Sequence, residues 1–210
     1  MEVMKLYDYF RSSAAYRVRI ALNLKGLAPE REFVHLRRNA QRSDDYLAVN
    51  PLGLVPVLVT DEGQVLSQSL AIVEYLDERY PHPPLMPQDP AGRARVRMSA
   101  QRIEQELFPL AAALAGTGGE ATAARKQLVD GLKAGARFFP ARGHMLGPEY
   151  SLADTAWTVL LRRVQAAGLA LPPEAASVTA YAARMFARPG FQRCFHPAAA
   201  APASASRRRV

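Results

Sequence analysis

The sequence predicts an α/β domain followed by an all-helical domain, and three observations carry this. Short β-branched and apolar runs alternate with helical patterns up to Tyr80 in the order strand, helix, strand, strand, strand, helix. A proline-rich stretch, PHPPLMPQDP, then interrupts the chain. Beyond Asp89 the texture is helical, with almost no strand signal. These points predict domains at 1–80 and 91–196, a linker at 81–90 and a low-complexity, disordered basic tail at 197–210.

In chain order, Lys5–Phe10 reads as a strand. The segment FRSSAAYRVRIALNLKG follows and is ambiguous by pattern, because Tyr16, Val18, Ile20, Leu22 and Leu24 alternate as strand residues do. The N-cap types Ser12 and Ser13, the length, and Gly26 at the C′ position decide for a helix over Ala14–Lys25. Arg31–Leu36 is a second strand and completes a βαβ unit. After RRNAQRSDDYLAVNPLG, read as a polar linker, Val55–Thr60 and Val65–Ser67 form a hairpin across DEGQ. SLAIVEYLDERY has its apolar residues on one helical face.

The second half reads as helices at 91–115, 121–139, 156–161 and 175–187. SLAD at Ser151 is a variant capping box, read as a folding signal with no chemistry, and FARPGF is expected to end the last helix.

Composition narrows the function classes. One cysteine, Cys194, excludes an internal disulfide and any CxxC pair, which points to a reducing compartment and implies no structural metal. MEVMKLYDYF lacks the basic-then-apolar pattern of a signal peptide, and no run approaches a membrane span, so a cytoplasmic protein with no membrane role is expected. The net charge of +8 owes part of its excess to Arg207, Arg208 and Arg209, and the other basic residues are scattered, so no direct nucleic-acid role is expected.

Two helix starts stand out as ligand sites. At Ser12 and Ser13 a helix N-terminus offers backbone N–H groups, a positive dipole end and hydroxyls to an anion or thiolate. At Gln68 and Ser69 a second start offers an amide and a hydroxyl to a carboxylate, although Ser69 is read equally well as a plain N-cap. Between them lies Val55-Pro56. A cis bond there would leave the Val55 backbone free to pair with an extended peptide ligand, while a trans turn proline fits the sequence as well.

RSSAAYRVRIALNLKG, NPLGLVPVL and QSLAIVEYLDERYP together resemble the N-terminal domain of the glutathione transferase superfamily, specifically the zeta class with its maleylacetoacetate and maleylpyruvate isomerases. The resemblance implies a thioredoxin-like domain plus an all-α domain, the glutathione transferase fold, with glutathione as cosubstrate, a small-molecule electrophile as acceptor and a homodimer as the assembly. By motif, Ser12 would hydrogen-bond the glutathione sulfur with support from Ser13. Val55 before a cis Pro56 would pair with the cysteinyl backbone, and Gln68 and Ser69 would hold the γ-glutamyl carboxylate. Arg11 would grip a carboxylate of a dicarboxylic acceptor.

The second half is similar to a different branch of the same fold. PHPPLMP, RIEQELF, LGPEYSLAD and the Tyr181 to Pro189 pattern resemble stringent starvation protein A, which implies an RNA polymerase partner contacted through Pro81, His82, Pro83 and Pro84. The same prolines are also read as a stiff domain spacer. The chain departs from zeta enzymes where they place Gln-Pro, having Phe108-Pro109, and where they carry a substrate-binding arginine, having Ala166. The favoured reading is a zeta-like glutathione transferase or cis–trans isomerase. The alternatives are a transcription regulator without catalysis and, more plainly, a transferase-fold protein that binds glutathione without turnover.

Overall fold

The computed structural model describes residues 3–195. The basic tail expected at 197–210 lies outside the described residues. Two compact units are present, one running to Leu76 and resuming at Gly190, the other spanning Asp77–Pro189.

The first unit is built on a four-stranded mixed sheet in the order β2-β1-β3-β4, comprising β1 Lys5–Asp8, β2 Glu30–Phe33, β3 Val57–Val59 and β4 Val65–Ser67. β1 pairs parallel with β2, as the crossover through helix α1 (Ser13–Leu24) requires, and antiparallel with β3. β3 and β4 form the expected hairpin. Its turn is tied by the Thr60 hydroxyl, which accepts the Glu62 and Gln64 N–H groups at 3.2 and 3.1 Å.

Helix α1 resolves the ambiguity of its sequence. Every residue from Ala15 to Leu22 is buried, so no exposed face imposes a 3.6-residue period and the alternation of aliphatics is incidental. The helix closes with Gly26 at φ +68°, where Leu27 N–H donates to Leu22 O at 2.9 Å and Gly26 N–H to Asn23 O at 3.3 Å.

The segment read as a polar linker contains two short 3-10 turns and a helix, α2 (Asp44–Val49). Ser43 caps α2, accepting Tyr46 N–H at 3.3 Å, and Asp44 and Asp45 sit in its first turn. Six residues are too few to show helical periodicity, so only the cap could have revealed it. Helix α3 (Ser69–Arg79) follows β4, and Leu6, Val18, Ile20, Leu58, Ile72 and Leu76 are fully buried in this unit.

The second unit holds α4 (Pro90–Arg102), α5 (Phe108–Ala113), α6 (Gly118–Gly135), α7 (Leu152–Ala166) and α8 (Ala176–Phe186). A π turn at Ile103–Leu107 joins α4 to α5. It falls just before Pro109, which has no N–H to donate to Gln105 and so cannot continue the regular ladder.

The Ser151 cap is built as its sequence suggests. The buried Asp154 carboxylate accepts Ser151 N–H at 2.9 Å, the Ser151 hydroxyl at 3.0 Å, Met145 N–H at 2.8 Å and the Tyr181 hydroxyl at 2.7 Å. Burial, with the Asp154 charge beside it, pushes the Tyr181 phenol up from its ordinary value.

FARPGF ends α8 at Phe186, as its sequence suggests. A ninth helix, α9 (Pro189–Phe195), follows it. From Gly190 on, this segment belongs with the first unit, where the Asn23 amide donates to Cys194 Sγ at 2.8 Å. Pro189 opens this further helix as an N1 proline can.

Candidate functional site

Strand register brings the expected site segments to one end of the sheet. Tyr7 pairs with Val57, and Val57 with Ser67, so these three residues form a row across β1, β3 and β4. The chain leaves that row toward Ser12 after β1, arrives through Val55-Pro56 before β3, and leaves again through Gln68-Ser69 after β4. One sheet end thus gathers three segments that are distant in sequence. In open α/β sheets ligands gather beyond the carboxyl ends of strands, and this is that end of β1.

Ser12 is the N-cap of α1. Its Oγ accepts Ala15 N–H at 3.2 Å, its C=O accepts Tyr16 N–H at 2.9 Å, and its side chain is half-buried. An oxygen that accepts from the helix keeps its own hydrogen for an outside acceptor. Ser13 is the first residue of the helix and is also half-buried.

The turn before Ser12 is held from below by a cluster of charges. The Asp8 carboxylate, at the end of β1 and 1% exposed, pairs with Arg19 of α1 at 2.6 Å and with Arg31 of β2. The Arg19 guanidinium also donates to Phe10 O at 3.1 Å and Tyr9 O at 3.5 Å. One buried arginine therefore fixes both carbonyls of the loop that presents Arg11 and Ser12. Arg11 is exposed, and Phe10, half exposed beside it, stacks on Phe33 with ring centroids 5.8 Å apart.

The Val55-Pro56 bond is cis, with Pro56 buried and Val55 half-buried. The preceding carbonyl, Leu54 O, accepts the Tyr46 hydroxyl at 2.6 Å and the Asn50 amide at 2.8 Å. The Asn50 Oδ1 in turn accepts Leu52 N–H at 3.2 Å. Gly53 lies against Gln41 O, which a Cβ would meet at 2.8 Å, and its φ of +60° favours glycine as well. Tyr46 and Asn50 are thus positioning residues of this loop that sequence reasoning missed. The Ser-Asp-Asp cap of α2 was the available signal for the first, and the Asn-Pro of NPLG for the second. Burial raises the Tyr46 phenol to about 12.

Gln68 has φ +69°, the left-handed conformation that residues with a Cβ seldom adopt, and it turns the chain from β4 into α3 with its side chain exposed. Its C=O accepts Ile72 N–H at 2.9 Å, so Gln68, not Ser69, stands at the cap position. Ser69 is the first residue of α3 and only 6% exposed, and its Oγ accepts from Arg17 Nη1 at 2.6 Å. Arg17, on α1 and 1% exposed, links the two helix starts.

The partner surface expected from the proline-rich segment falls in the second unit. Pro81, His82, Pro83 and Pro84 are all exposed, and the His82-Pro83 bond is cis. Among the described residues no cluster of His, Cys, Asp and Glu is placed to hold a metal ion, and no helix is long and apolar enough to cross a membrane.

Residues 11–79 match the family model for the glutathione S-transferase N-terminal domain. The chain is 52% identical over 109 residues to a maleylacetoacetate isomerase of Pseudomonas aeruginosa, an alignment covering 51% of each protein, so it matches about half the length of that relative. It is 39% identical over 191 residues to a stringent starvation protein A homolog of Pasteurella multocida, covering 90% of this chain and 88% of that one. A crystal structure of maleylacetoacetate isomerase from Methylobacterium extorquens with bound malonate and glutathione superposes with a TM-score of 0.77 at 32% identity, covering 90% of this chain and 95% of that one.

Proposed function

From its membership of the glutathione S-transferase family, to which this chain belongs, we propose a glutathione-dependent enzyme of zeta type that isomerises or conjugates small electrophiles, dicarboxylic acids among them. The observation that carries this reading is the pair of serine hydroxyls at one sheet end, each with its oxygen already engaged from behind, by Ala15 N–H at Ser12 and by Arg17 at Ser69.

The donor set fits glutathione. Ser12, at a positive helix end, suits a sulfur anion, and Ser69 with Gln68 at a second helix start suits a carboxylate. The cis Val55-Pro56 segment, braced through Leu54 O, suits the cysteinyl backbone as an extended partner. Glutathione supplies a nucleophilic sulfur. A free thiol with pKa near ~8.5 is mostly protonated at neutral pH, and the Ser12 hydroxyl with the α1 N-terminus lowers that value by favouring the anion. Arg11, one residue before Ser12 and exposed, binds a carboxylate of the acceptor through its planar fork. Its position directs charged acceptors to the sulfur side of the site, and Ser13 supports the same turn.

The protein is proposed to act in the cytoplasm as a homodimer, with exposed Leu52, Leu54 and Val65 of the first unit as candidate contacts. Retention on immobilised glutathione, with elution by free glutathione, tests the central claim. Failure to be retained, together with absence of turnover of maleylacetoacetate and maleylpyruvate, would remove it.

A second reading is favoured by one observation, the 88% coverage of a stringent starvation protein A homolog. In that reading the exposed Pro81 to Pro84 segment contacts RNA polymerase. Loss of RNA polymerase retention on His82→Ala would support it, and no retention by either protein would remove it.

A further inference from the structure

We propose that Arg17 is a positioning residue that biases Ser69 toward donating to a carboxylate, and so sets the preference of the site for a ligand bearing that carboxylate. This rests on the reading of Ser69 as the anchor of the γ-glutamyl end of glutathione.

The argument begins with donors and acceptors. A guanidinium carries five N–H donors and no acceptor, so at 2.6 Å Arg17 Nη1 donates and Ser69 Oγ accepts. The single hydrogen of Ser69 is then directed at a different atom. A lone serine hydroxyl can rotate to serve either a donor or an acceptor, and a site built on one discriminates poorly between ammonium, amide and carboxylate. With one lone pair taken from behind by a cation, the hydroxyl is turned to present its hydrogen forward, and the charge-assisted bond polarises it so that an anion is favoured over an ammonium at the same point.

Burial sharpens the effect. Arg17 is 1% and Ser69 6% exposed, so water screens little of the guanidinium charge lying one hydrogen bond behind the hydroxyl. The planar fork sits on α1, a helix buried along its length, and Ser69 opens α3, so the pair also fixes two helix starts relative to each other. The N-terminal end of α3 adds a field of the same sign. Cation, hydroxyl and helix end are thus aligned to favour an anion at one point. Ser12, by contrast, receives only a backbone N–H, which suits a soft sulfur anion needing no buried countercharge.

The experiment compares two ligands in the full-length protein. One is glutathione. The other is cysteinylglycine acylated with 4-aminobutanoate, which keeps the thiol and the amine and lacks only the γ-glutamyl α-carboxylate. Binding is read by calorimetry and turnover as separate kcat and KM, with thermal melting to establish that each variant is folded.

The unmutated protein is expected to prefer glutathione, and Arg17→Met to weaken glutathione by about 10- to 100-fold while leaving the analogue and kcat within about twofold. Arg17→Lys, which keeps a donor without the fixed fork, is expected to restore part of the preference. Ser69→Ala should lose the same preference, and the double variant no more than either alone.

A folded Arg17→Met that keeps the preference, or weakens both ligands equally, overturns the proposal and leaves glutathione binding standing. Should that variant not fold, Arg17→Lys decides in the same way, an unchanged preference overturning it. No binding of glutathione by the unmutated protein overturns the functional reading itself, and this proposal with it.

Discussion

In the proposed function Ser12 does two jobs that substitution can separate, its oxygen capping α1 and its hydrogen serving the sulfur. Removing the hydroxyl in Ser12→Ala deletes the N-cap bond to Ala15, a loss of about 1 kcal/mol, which for a chain of this size lowers Tm by about 2–4 °C. It also deletes a donor to the developing thiolate, which should reduce kcat by about 10²–10³-fold. Ser12→Gly deletes the same donor, yet glycine is a tolerable N-cap and loses only a few tenths of a kcal/mol. Alanine and glycine should therefore share the catalytic defect and differ in stability. Urea denaturation gives the stabilities, steady-state kinetics the rates, and ultraviolet titration of bound glutathione the thiol ionisation, which should move to higher pH equally in both. Activity that instead follows stability, with Ser12→Gly near the unmutated rate, would reduce Ser12 to a cap. So would a Ser12→Ala enzyme within about twofold in kcat alongside a Ser13→Ala enzyme that is dead.

Three further expectations follow from the same geometry. Arg11→Ala should raise KM for maleylacetoacetate or maleylpyruvate and spare an uncharged acceptor such as a chlorodinitrobenzene, since a carboxylate clamp contributes only where a carboxylate is present; equal losses on both would assign Arg11 to the fold. Asp8→Asn strands the buried Arg19 without its anion and should cost about 3–5 kcal/mol in urea unfolding, with kcat falling as the Phe10 and Tyr9 carbonyls lose their anchor, and a loss below about 1 kcal/mol would contradict the cluster's role. The Tyr46 phenol holds its proton in the folded chain to about 12 against 10.0 for the free group, so the unfolded state loses protons first. Stability from this group is present in full below pH 10 and drains away as pH rises toward 12; Tyr46→Phe should flatten that alkaline decline, and an unchanged slope would refute it.

Legibility in the sequence followed the physics of each segment. β4 and the start of α3 were readable to the residue, because a β-branched run, a polar turn and an amphipathic helix are local signals. The strand ends were overrun, at Lys5–Phe10 against Lys5–Asp8 and Arg31–Leu36 against Glu30–Phe33, since apolar content continues past the last ladder bond while pairing stops. α2 and α9 were hidden by their six- and seven-residue lengths. The site divides in the same way. Ser12, Val55-Pro56 and Gln68-Ser69 stand in compact motifs, whereas Asp8, Arg19, Arg17 and Tyr46 act through partners 8 to 52 residues away, which no local pattern encodes.

What the tertiary partners add is direction. A motif states that a serine is present; the groups behind it state what that serine can do. At Ser12 the partner behind is a backbone N–H of its own helix, supplied automatically once α1 forms, so this half of the site is as robust as the helix itself. At Ser69 the partner is a side chain 52 residues earlier, buried at a cost that only the folded unit can meet. The two hydroxyls therefore differ in how they can fail. On the proposed function, loosening the contact between α1 and α3 would blunt carboxylate recognition first and leave the sulfur end intact, so partial destabilisation should raise KM for glutathione before it lowers kcat. Measured at urea concentrations well below the unfolding midpoint, a rise in KM at constant kcat is the expected order; kcat falling first would place the weaker support at Ser12.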